Sequence, residues 1–456
     1  MNRAPGSFRD PSGYVYIREG EALRTVNDEY RKQWLLVEPF LCKLQEKGLI
    51  VPFEETDPLE DSWKTLVVQK LPFISYPYEW SFSQLKAAAL LTLQLQRMAL
   101  SDGLILKDSS AFNIQFIGAK PVFIDHLSFE ILEPGRPWDA YRQFCSHFLA
   151  PLALASMTDL ECGVLSKLWM DGIPLPIAVK MLPFRARLRF GIFLHLFLHA
   201  RLQNKYADAR THAEKAKRIN ISQKSLDNIA ASLERTISSL QSPRIKTEWG
   251  DYYEDTNYSE EAAGNKSTLV EKFAEHNVKK DLALDLGANT GKFSKLLARH
   301  YKVVLSVDMD SLAVERNFIA LQNKSAPINI LPLVVNLANP SPPLGFNCSE
   351  RQSFSQRVKA DCITALALIH HMTITSGIPL SLQADFFSNL LADQGTLILE
   401  FIPKNDSQVQ RLLAFRKDIF HDYTLDGCLK AFSNFKCVRI EPIADSERTL
   451  ILLKKV

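Results

Sequence analysis

The sequence predicts a two-domain chain whose second half adopts an α/β fold built on a parallel sheet. The chain has 456 residues, which is more than one hydrophobic core usually organises. From residue 282 onwards, continuous apolar runs alternate with segments of helical periodicity. Such runs are typical of strands that are buried on both faces, as in parallel sheets covered by helices. We therefore expect an α/β domain over residues 243–456.

The elements of this domain are predicted to alternate along the chain. The clearest helical patterns are Phe293–His300 and Leu312–Leu321, in which apolar residues recur every three or four positions. Leu, Ile and Val dominate the strands, as expected for a sheet without a solvent-facing side. The predicted strands are Leu282–Leu286, Val303–Val307, Ile330–Val335, Cys362–Leu368, Leu397–Phe401 and Thr449–Leu453.

The first half has a different order of elements, which predicts an α+β domain over residues 1–242. Gly13–Arg18 and Leu66–Leu71 have strand-like patterns, and Ser83–Leu100 has the pattern of an amphipathic helix. Ile114–Phe116 and Val122–Ile124 predict a short hairpin, after which the sequence is mostly helical. The boundary is expected near Ser242, where a polar helical segment gives way to a turn-rich stretch.

The composition argues against several classes of protein. The net charge is +3 and no compact block of Lys and Arg accompanies it, so there is no strong signal for a nucleic-acid partner. The longest apolar stretch, Phe190 to Ala200, is far shorter than the ~20 residues that a membrane span needs. The seven cysteines are scattered without metal-ligand spacing. We expect a soluble, cytoplasmic protein with reduced thiols and no membrane span.

A glycine motif lies where the first strand of the second half is predicted to turn into a helix. It contains Asp285, Gly287 and Gly291, and glycines lacking a Cβ let a ligand approach the backbone closely. The next strand ends in Asp308, 23 residues after Asp285, near the spacing at which an acid binds ribose in dinucleotide folds. Met309 beside it suits the face of an adenine ring. The pattern predicts a nucleotide-like ligand, with a helix cap and a strand-end turn as the alternatives.

Two further motifs make the pattern more specific. After the third strand comes Asn336, whose amide can hydrogen-bond an adenine amino group. The fourth strand then ends in Ala365-Leu-Ala-Leu-Ile-His-His. In this order, the motifs over residues 252–456 resemble those of class I S-adenosylmethionine (SAM)-dependent methyltransferases.

The resemblance implies a Rossmann-like domain that binds SAM as its cofactor. Gly287 and Gly291 would then border the methionine part of SAM, Asp308 would hold the ribose, and Asn336 would contact the adenine. These relatives usually have Asp at the position of Asn336, but Asn keeps an acceptor oxygen. The predicted SAM-binding residues are Asp285, Gly287, Asn289, Gly291, Asp308, Met309, Asn336, Leu337 and Ala365.

Candidate catalytic groups follow the fourth and fifth strands. His370 and His371 are expected beside the transferred methyl group, and a hydroxyl acceptor must lose a proton to a base such as histidine. We predict that one of them is the base, with a purely structural role as the alternative. Glu400 is a further candidate that could instead cap a turn.

The aromatic stretch before the first strand of the second half contains Tyr252, Tyr253 and Tyr258. In Rossmann-like methyltransferases such a segment often folds over the cofactor, so the resemblance implies contacts of these rings with SAM. Packing between the domains is the alternative.

In the first half, the residues after Leu106 resemble the catalytic and metal-binding segments of kinase-like phosphotransferases of the aminoglycoside type. Asp108 and Asn113 lie five residues apart, and Asp125 ends a short hairpin twelve residues further on. The resemblance implies that Asp108 receives the hydroxyl proton while Asn113 and Asp125 hold magnesium on ATP. Where such enzymes usually have His, this sequence has Leu106.

The nucleotide lysine of such enzymes has no clear counterpart. Only Arg24, Lys64 and Lys70 are candidates for it, and no glycine-rich phosphate loop precedes them. We therefore predict a kinase-like fold that is degenerate and recognises an acceptor or partner, with Mg-ATP binding as the alternative.

Three segments are specific to one family: PFISYPYEWS from Pro72, PWDAYRQFC from Pro137 and LALIHH from Leu366. With them the chain resembles, over its full length, a bacterial family of fused kinase-like and methyltransferase proteins related to the nodulation protein NoeA. The family name implies work on a glycan or its precursor.

We predict that the chain methylates a hydroxyl of a small molecule or glycan precursor. Three alternatives remain open: a protein or RNA methyltransferase with an N-terminal docking domain, a SAM-binding regulatory protein without turnover, and a bifunctional kinase and methyltransferase.

Overall fold

The computed structural model describes residues 2–59, 61–201, 220–243, 259–323, 326–327, 329–414 and 417–456. The chain divides into two compact units. The first comprises Met1–Arg244 and Leu344–Arg351, and the second comprises Ile245–Pro343 and Gln352–Val456. Residues 344–351 thus belong to the first unit, which no sequence pattern indicates. Tyr252, Tyr253 and Tyr258 lie outside the described residues.

The first unit begins with an antiparallel sheet. Its strands are β1 (Asn2–Arg3), β2 (Val15–Arg18), β3 (Glu21–Val26), β4 (Phe53–Thr56) and β5 (Lys64–Val68), in the order β1-β2-β3-β5-β4. The helix Arg31–Glu46 joins β3 to β4 and buries residues three or four positions apart, such as Trp34, Val37 and Leu41. Pro39 lies inside this helix. The sequence analysis predicted neither β3 nor this helix.

The rest of the first unit is mainly helical, as predicted. The long helix Phe82–Ser101 begins at Ser81, whose hydroxyl accepts a hydrogen bond from the Gln84 backbone N–H as an N-cap. It leads into β6 (Leu104–Leu106), the hairpin of β7 (Ile114–Ile117) and β8 (Lys120–Phe123), and β9 (Phe129–Ile131), which pairs with β6. The helical segments that follow are Tyr141–Phe144, Cys145–Leu149, Ala150–Met157, Leu160–Lys167, Leu175–Met181, Phe184–Leu188, Phe190–Ile192, Phe193–Leu198 and Gln223–Ser239.

A seven-stranded sheet forms the centre of the second unit. Its strands are β10 (Leu282–Leu286), β11 (Val303–Asp308), β12 (Ile330–Val334), β13 (Ala360–Ala365), β14 (Leu391–Phe401), β15 (Phe435–Pro442) and β16 (Thr449–Lys455). The order is β12-β11-β10-β13-β14-β16-β15. The first five strands are parallel, whereas β16 runs antiparallel to both of its neighbours. The sheet is therefore mixed, and the prediction of a wholly parallel sheet was wrong at its last strand, because β15 and β16 form a hairpin.

The α/β prediction for the second unit is confirmed. Every residue of β10 and β13 is buried, as expected for strands covered on both faces. The chain leaves β10 towards β11 on one side and later returns to β13 on the other, so the strand order reverses at β10. Ligands of such sheets bind at this reversal, beyond the carboxyl ends of the strands. The helices are Glu260–Ala274, Lys292–Leu297, Ser311–Leu321, Phe354–Arg357, Leu380–Leu390, Ser407–Leu413 and Leu425–Ala431, and a π-helical segment spans His371–Thr375.

The fourth strand of the second unit ends earlier than predicted. Its expected range, Cys362–Leu368, includes Ala367, which instead has a left-handed backbone with φ 48°. The Ala367 N–H donates a 2.7 Å hydrogen bond to Oε2 of Glu400 at the end of β14. A side chain from the neighbouring strand therefore turns the chain out of the sheet, which local apolar character does not reveal.

Among the described residues, no helix is both long and apolar enough to cross a bilayer.

Candidate functional site

A turn over residues 287–291, which we call the glycine turn, follows β10 at its carboxyl end. Gly287, Asn289 and Gly291 all have left-handed backbones, with φ values of 72°, 49° and 78°. A Cβ at Gly291 would lie 2.6 Å from the side-chain amide of Asn317, so only glycine fits there. At Gly287 a Cβ would make an ordinary contact with Leu368 at 3.5 Å, so the left-handed backbone and not a clash favours glycine there.

Asp285 lies within β10 and is buried. Its Oδ2 accepts a 2.6 Å hydrogen bond from the Ser294 hydroxyl, and its Oδ1 accepts one of 2.6 Å from the Thr364 hydroxyl. Burial raises the pKa of Asp285. The carboxyl thus connects β10 to β13 and to the helix after the glycine turn, and these hydrogen bonds stabilise both ends of the turn.

Asp308 ends β11 beside the glycine turn. Its Oδ2 accepts a 2.7 Å hydrogen bond from the Asn289 backbone N–H, and its Oδ1 accepts one of 2.9 Å from the Asp310 backbone N–H. Burial raises the pKa of Asp308 to about 6, although these two N–H groups act against it. Each oxygen has a second lone pair that could accept a hydroxyl.

The other predicted cofactor residues lie at the ends of neighbouring strands. Met309 follows β11 and is 55% exposed. Asn336 and Leu337 follow β12 by two and three residues; Asn336 is exposed, and its Oδ1 accepts a 2.9 Å hydrogen bond from the Ala338 N–H. Ala365 is the buried last residue of β13. All of these positions lie at or just after the carboxyl ends of strands on either side of β10.

The two histidines after β13 have different environments. Their ring centroids are 4.1 Å apart, but His370 is buried whereas His371 is partly exposed. Burial lowers the pKa of both, that of His371 to about 4, and the nearby charges of Arg448 and Lys266 lower that of His370 further. No described residue hydrogen-bonds to His370 Nδ1. Both rings are neutral near pH 7.

A buried network of charges lies close to His370. Nζ of Lys266 lies 2.7 Å from Oε2 of Glu400, and Nε of Arg448 lies 2.8 Å from Oδ2 of Asp406. All four side chains are at most 11% exposed. Glu400 thus points into this network, which supports the ends of β13 and β14.

Lys266 is a residue that the sequence analysis missed. It occupies a buried position of the helix Glu260–Ala274, in line with Ala262 and Val270 at intervals of four. The sequence did indicate it, because it places a lysine on the apolar face of this helix. A lysine is rarely buried without a partner, so such a position indicates a buried ion pair.

The first unit brings together Asp108, Asn113 and Asp125, the three residues that the sequence analysis compared with kinase-like enzymes. The Asn113 amide donates to the Asp108 backbone oxygen at 3.4 Å and to the Ser128 hydroxyl at 3.3 Å. The Ser128 hydroxyl in turn donates to Oδ2 of Asp125. Burial and the charge of Asp125 raise the pKa of Asp108, whose Oδ1 accepts a 2.8 Å hydrogen bond from Gln143.

Arg24 is the basic residue that reaches this cluster. It lies on β3, and its guanidinium is 2.6 Å from Oδ1 of Asp125. Although burial raises it, the pKa of Asp125 is lowered overall by Arg24 and by the Ser128 hydroxyl. Of the other candidates, Lys64 pairs with Glu55 at 2.8 Å, and Lys70 is exposed.

Comparison with known proteins places the chain in a family. No family model matches it. It is 34% identical to nodulation protein NoeA of Rhizobium meliloti strain 1021, over 99% of this chain and 96% of that protein. The chain belongs to the NoeA family. Because the similarity extends over nearly all of both sequences, the relative shares both halves of the chain.

Solved structures match this member of the NoeA family over less than half of its length. The N-methyltransferase NodS from Bradyrhizobium japonicum WM9, in complex with S-adenosyl-L-homocysteine, is 12% identical over 46% of this chain and 93% of that one, with a TM-score of 0.34. Magnesium protoporphyrin IX methyltransferase (ChlM) from Synechocystis PCC 6803, with bound S-adenosyl-L-homocysteine, is 17% identical over 46% and 92%, with a TM-score of 0.32.

Proposed function

We propose that the second unit transfers a methyl group from SAM to a hydroxyl of a small molecule or glycan precursor. The observation that carries the proposal is the position of the Asp308 carboxylate, which a backbone N–H of the glycine turn holds at the strand-order reversal. An acid at the end of the second strand suits a ribose at this place in a Rossmann-like sheet.

The residues present fit SAM. Asp308 uses one hydrogen bond per oxygen for the backbone and keeps acceptor capacity for two ribose hydroxyls. The exposed side chain of Met309 suits the adenine face, and the exposed Asn336 amide suits its amino group. Gly287 has no Cβ, which suits close approach of a ligand to the backbone. When bound, SAM supplies a methyl group on a sulfonium, which is transferred by in-line displacement.

The residues of the chain then have to orient the acceptor and remove its proton. We assign the proton-accepting role to His371, because its ring is partly exposed and its neutral form, which alone accepts a proton, predominates at pH 7. Its pKa of about 4 makes it a weaker base than a free histidine. His370 is buried behind it among Lys266 and Arg448, and we assign it a positioning role. Lys266, Glu400, Arg448 and Asp406 would fix the backbone that carries both rings.

The first unit is proposed to recognise the acceptor or a partner and not to transfer phosphate. The supporting observation is the ion pair between the Arg24 guanidinium and Oδ1 of Asp125. Magnesium would need that carboxylate as a ligand, and Arg24 already binds it. Mg-ATP is therefore not proposed as a second cofactor. A working kinase would show ATP hydrolysis that Asp125→Ala abolishes.

The testing experiment is calorimetric titration of the full chain with SAM. Wild type is expected to bind, and Asp308→Ala is expected to bind at least about 100-fold more weakly, because two hydrogen bonds to a charged group are lost. Asp281→Ala removes an exposed carboxylate outside the site and should bind like wild type. Absence of SAM binding by wild type would rule out the proposed function.

Formation of S-adenosylhomocysteine with different acceptors separates the remaining alternatives. Turnover with sugars or small hydroxylated compounds supports the proposal. Turnover only with protein or RNA fractions indicates a macromolecular methyltransferase, and SAM binding without turnover on any fraction indicates a regulatory protein.

A further inference from the structure

Residues 172–201 of the first unit combine a high apolar content with charge of one sign. The stretch contains five Lys and Arg residues and no Asp or Glu. Burial lowers the pKa of its two histidines, that of His195 to about 4, so both rings are neutral near pH 7. The stretch therefore has a net charge of +5 and supplies no carboxylate to balance it.

The short helix Phe184–Leu188 explains why large apolar side chains remain exposed there. Its sequence is FRARL, and among its residues only Ala186 is buried. The exposed fraction is 73% for Phe184, 79% for Leu188 and 75% for Phe190, which follows the helix by two residues. Exposed apolar side chains grouped in this way are typical of a surface that binds a partner.

Two neighbouring helical segments extend this surface. The segment Phe193–Leu198 contacts both the helix Leu175–Met181 and the helix Phe184–Leu188. The Arg187 guanidinium lies 5.5 Å from the ring centroid of Phe184 and 5.1 Å from that of Phe197, which joins two of these segments. We call this surface the basic apolar face and define it by Lys180, Phe184, Arg187, Leu188, Arg189 and Phe190.

The three cations of the basic apolar face are available to an external anion. Lys180, Arg187 and Arg189 are exposed, and none of them forms an ion pair with another residue in the part of the chain that the structure describes. The neighbouring Arg185 differs, because its guanidinium donates to the Met157 backbone oxygen at 3.0 Å. The face thus presents positive charge beside apolar surface.

The combination of charge and apolar surface selects among the possible partners. A second copy bound through the same face would bring like charges together. A nucleic acid would suit the cations, but its phosphates offer nothing to the aliphatic side chain of Leu188. The surface of an anionic bilayer suits both, because headgroup phosphates attract cations and the acyl boundary accepts apolar side chains.

We propose that the basic apolar face binds the surface of membranes that contain anionic lipids. Phe184, Leu188 and Phe190 insert at the boundary between the headgroups and the acyl chains, and the cations beside them contact lipid phosphates. This is binding at the surface of the bilayer, without a segment that crosses it. The proposal goes beyond methyl transfer by the second unit and does not depend on it.

Co-sedimentation of the full chain with lipid vesicles tests the proposal. Wild type is expected to bind vesicles of phosphatidylcholine and phosphatidylserine at least about tenfold more strongly than vesicles of phosphatidylcholine alone, because the cations need anionic headgroups. The double variant Phe184→Ser and Leu188→Ser should bind the first vesicles at least about tenfold more weakly. Arg187→Gln should bind them about fivefold more weakly. These side chains are exposed, so the variants should fold, and circular dichroism checks this.

Matched controls lie on the helix Arg31–Glu46 of the same unit. Leu36 is 58% exposed, and Lys32 is exposed as well. Leu36→Ser and Lys32→Gln each remove the same kind of side chain outside the basic apolar face. Both variants should bind vesicles like wild type, and a loss as large as in the variants of the face would contradict the proposed location.

Several results would overturn the proposal. Wild type that does not sediment with phosphatidylserine vesicles excludes it, and so does binding that Phe184→Ser with Leu188→Ser leaves unchanged. A wild-type dimer in analytical ultracentrifugation that Leu188→Ser dissociates, without vesicle binding, would assign the face to a second copy. Retention of nucleic acid without vesicle binding would assign it to that partner. SAM titration of the same variants should match wild type, so failure of membrane binding and failure of SAM binding are distinguishable.

Discussion

Nζ of Lys266 lies 2.7 Å from Oε2 of Glu400, and both side chains are buried beneath the turn that carries Ala367. The same Glu400 oxygen accepts the Ala367 N–H, so one carboxylate joins the helix Glu260–Ala274 to the end of β13. The ion pair is therefore a structural support for the segment that leads to the two histidines.

Removal of one member of this pair should strongly destabilise the second unit. Lys266→Met leaves the buried Glu400 carboxylate with only the more distant Arg448 guanidinium, 3.9 Å from Oε1, which is expected to cost about 3 kcal/mol of unfolding free energy. Urea denaturation followed by intrinsic fluorescence measures the effect. Lys302→Met, which breaks an exposed pair with Asp281 of the same 2.7 Å length, should cause no measurable change. Equal effects of the two variants would contradict the structural role.

Gly291 should tolerate no side chain. In Gly291→Ala the new Cβ meets the Asn317 amide in addition to a left-handed backbone, whereas Gly377→Ala has a similar φ of 69° and open space around it. We expect about 1 kcal/mol of destabilisation for Gly377→Ala, and about 1–3 kcal/mol more for Gly291→Ala because of overpacking. Thermal denaturation compares them. If the two variants lose equal stability, the proposed clash does not exist.

SAM affinity should depend on pH through Asp308. Its pKa of about 6 is raised above the usual 3.8, so the carboxylate takes up a proton as the pH falls through 6. A carboxylate that accepts two ribose hydroxyls then becomes a poorer acceptor, and affinity should fall by up to about tenfold per pH unit between pH 6 and pH 5. Calorimetry from pH 5 to pH 8 measures this. Asp308→Asn should bind more weakly but without this dependence, and a wild-type affinity that is flat over the range would argue against ribose binding by Asp308.

The two histidines should differ in their contribution to turnover. His371→Ala is expected to lower kcat about 100-fold or more with little change in SAM affinity, because the proton acceptor is lost. Since burial lowers the pKa of His371 to about 4, the neutral ring predominates from pH 5 upwards. The rate with saturating SAM should therefore stay level from pH 6 to pH 8. His370→Ala should mainly lower stability, and a larger loss of kcat there than in His371→Ala would reverse the assignment.

The α/β character of the second unit and the location of its glycine turn could be read from the sequence, since both depend on local pattern. Leu282–Leu286 is predicted and observed with the same bounds, because an apolar run interrupted only by Asp285 and followed by Gly287 favours a short buried strand. Strand β3 and the helix Arg31–Glu46 escaped prediction; β3 mixes polar with apolar residues, and Pro39 interrupts the helical pattern.

Only the tertiary structure decided which residues far apart in the chain come into contact. The end of β13 and the burial of Lys266 depend on Glu400, and the surroundings of His370 include Lys266 and Arg448, which are distant in sequence. Residues 344–351 belong to the first unit, in which Glu350 pairs with Arg9, 341 residues away along the chain. Periodicity and motif spacing describe neighbours along the chain, so they cannot show which distant charges will meet. Those charges pair in the folded protein because a buried charge without a partner is costly.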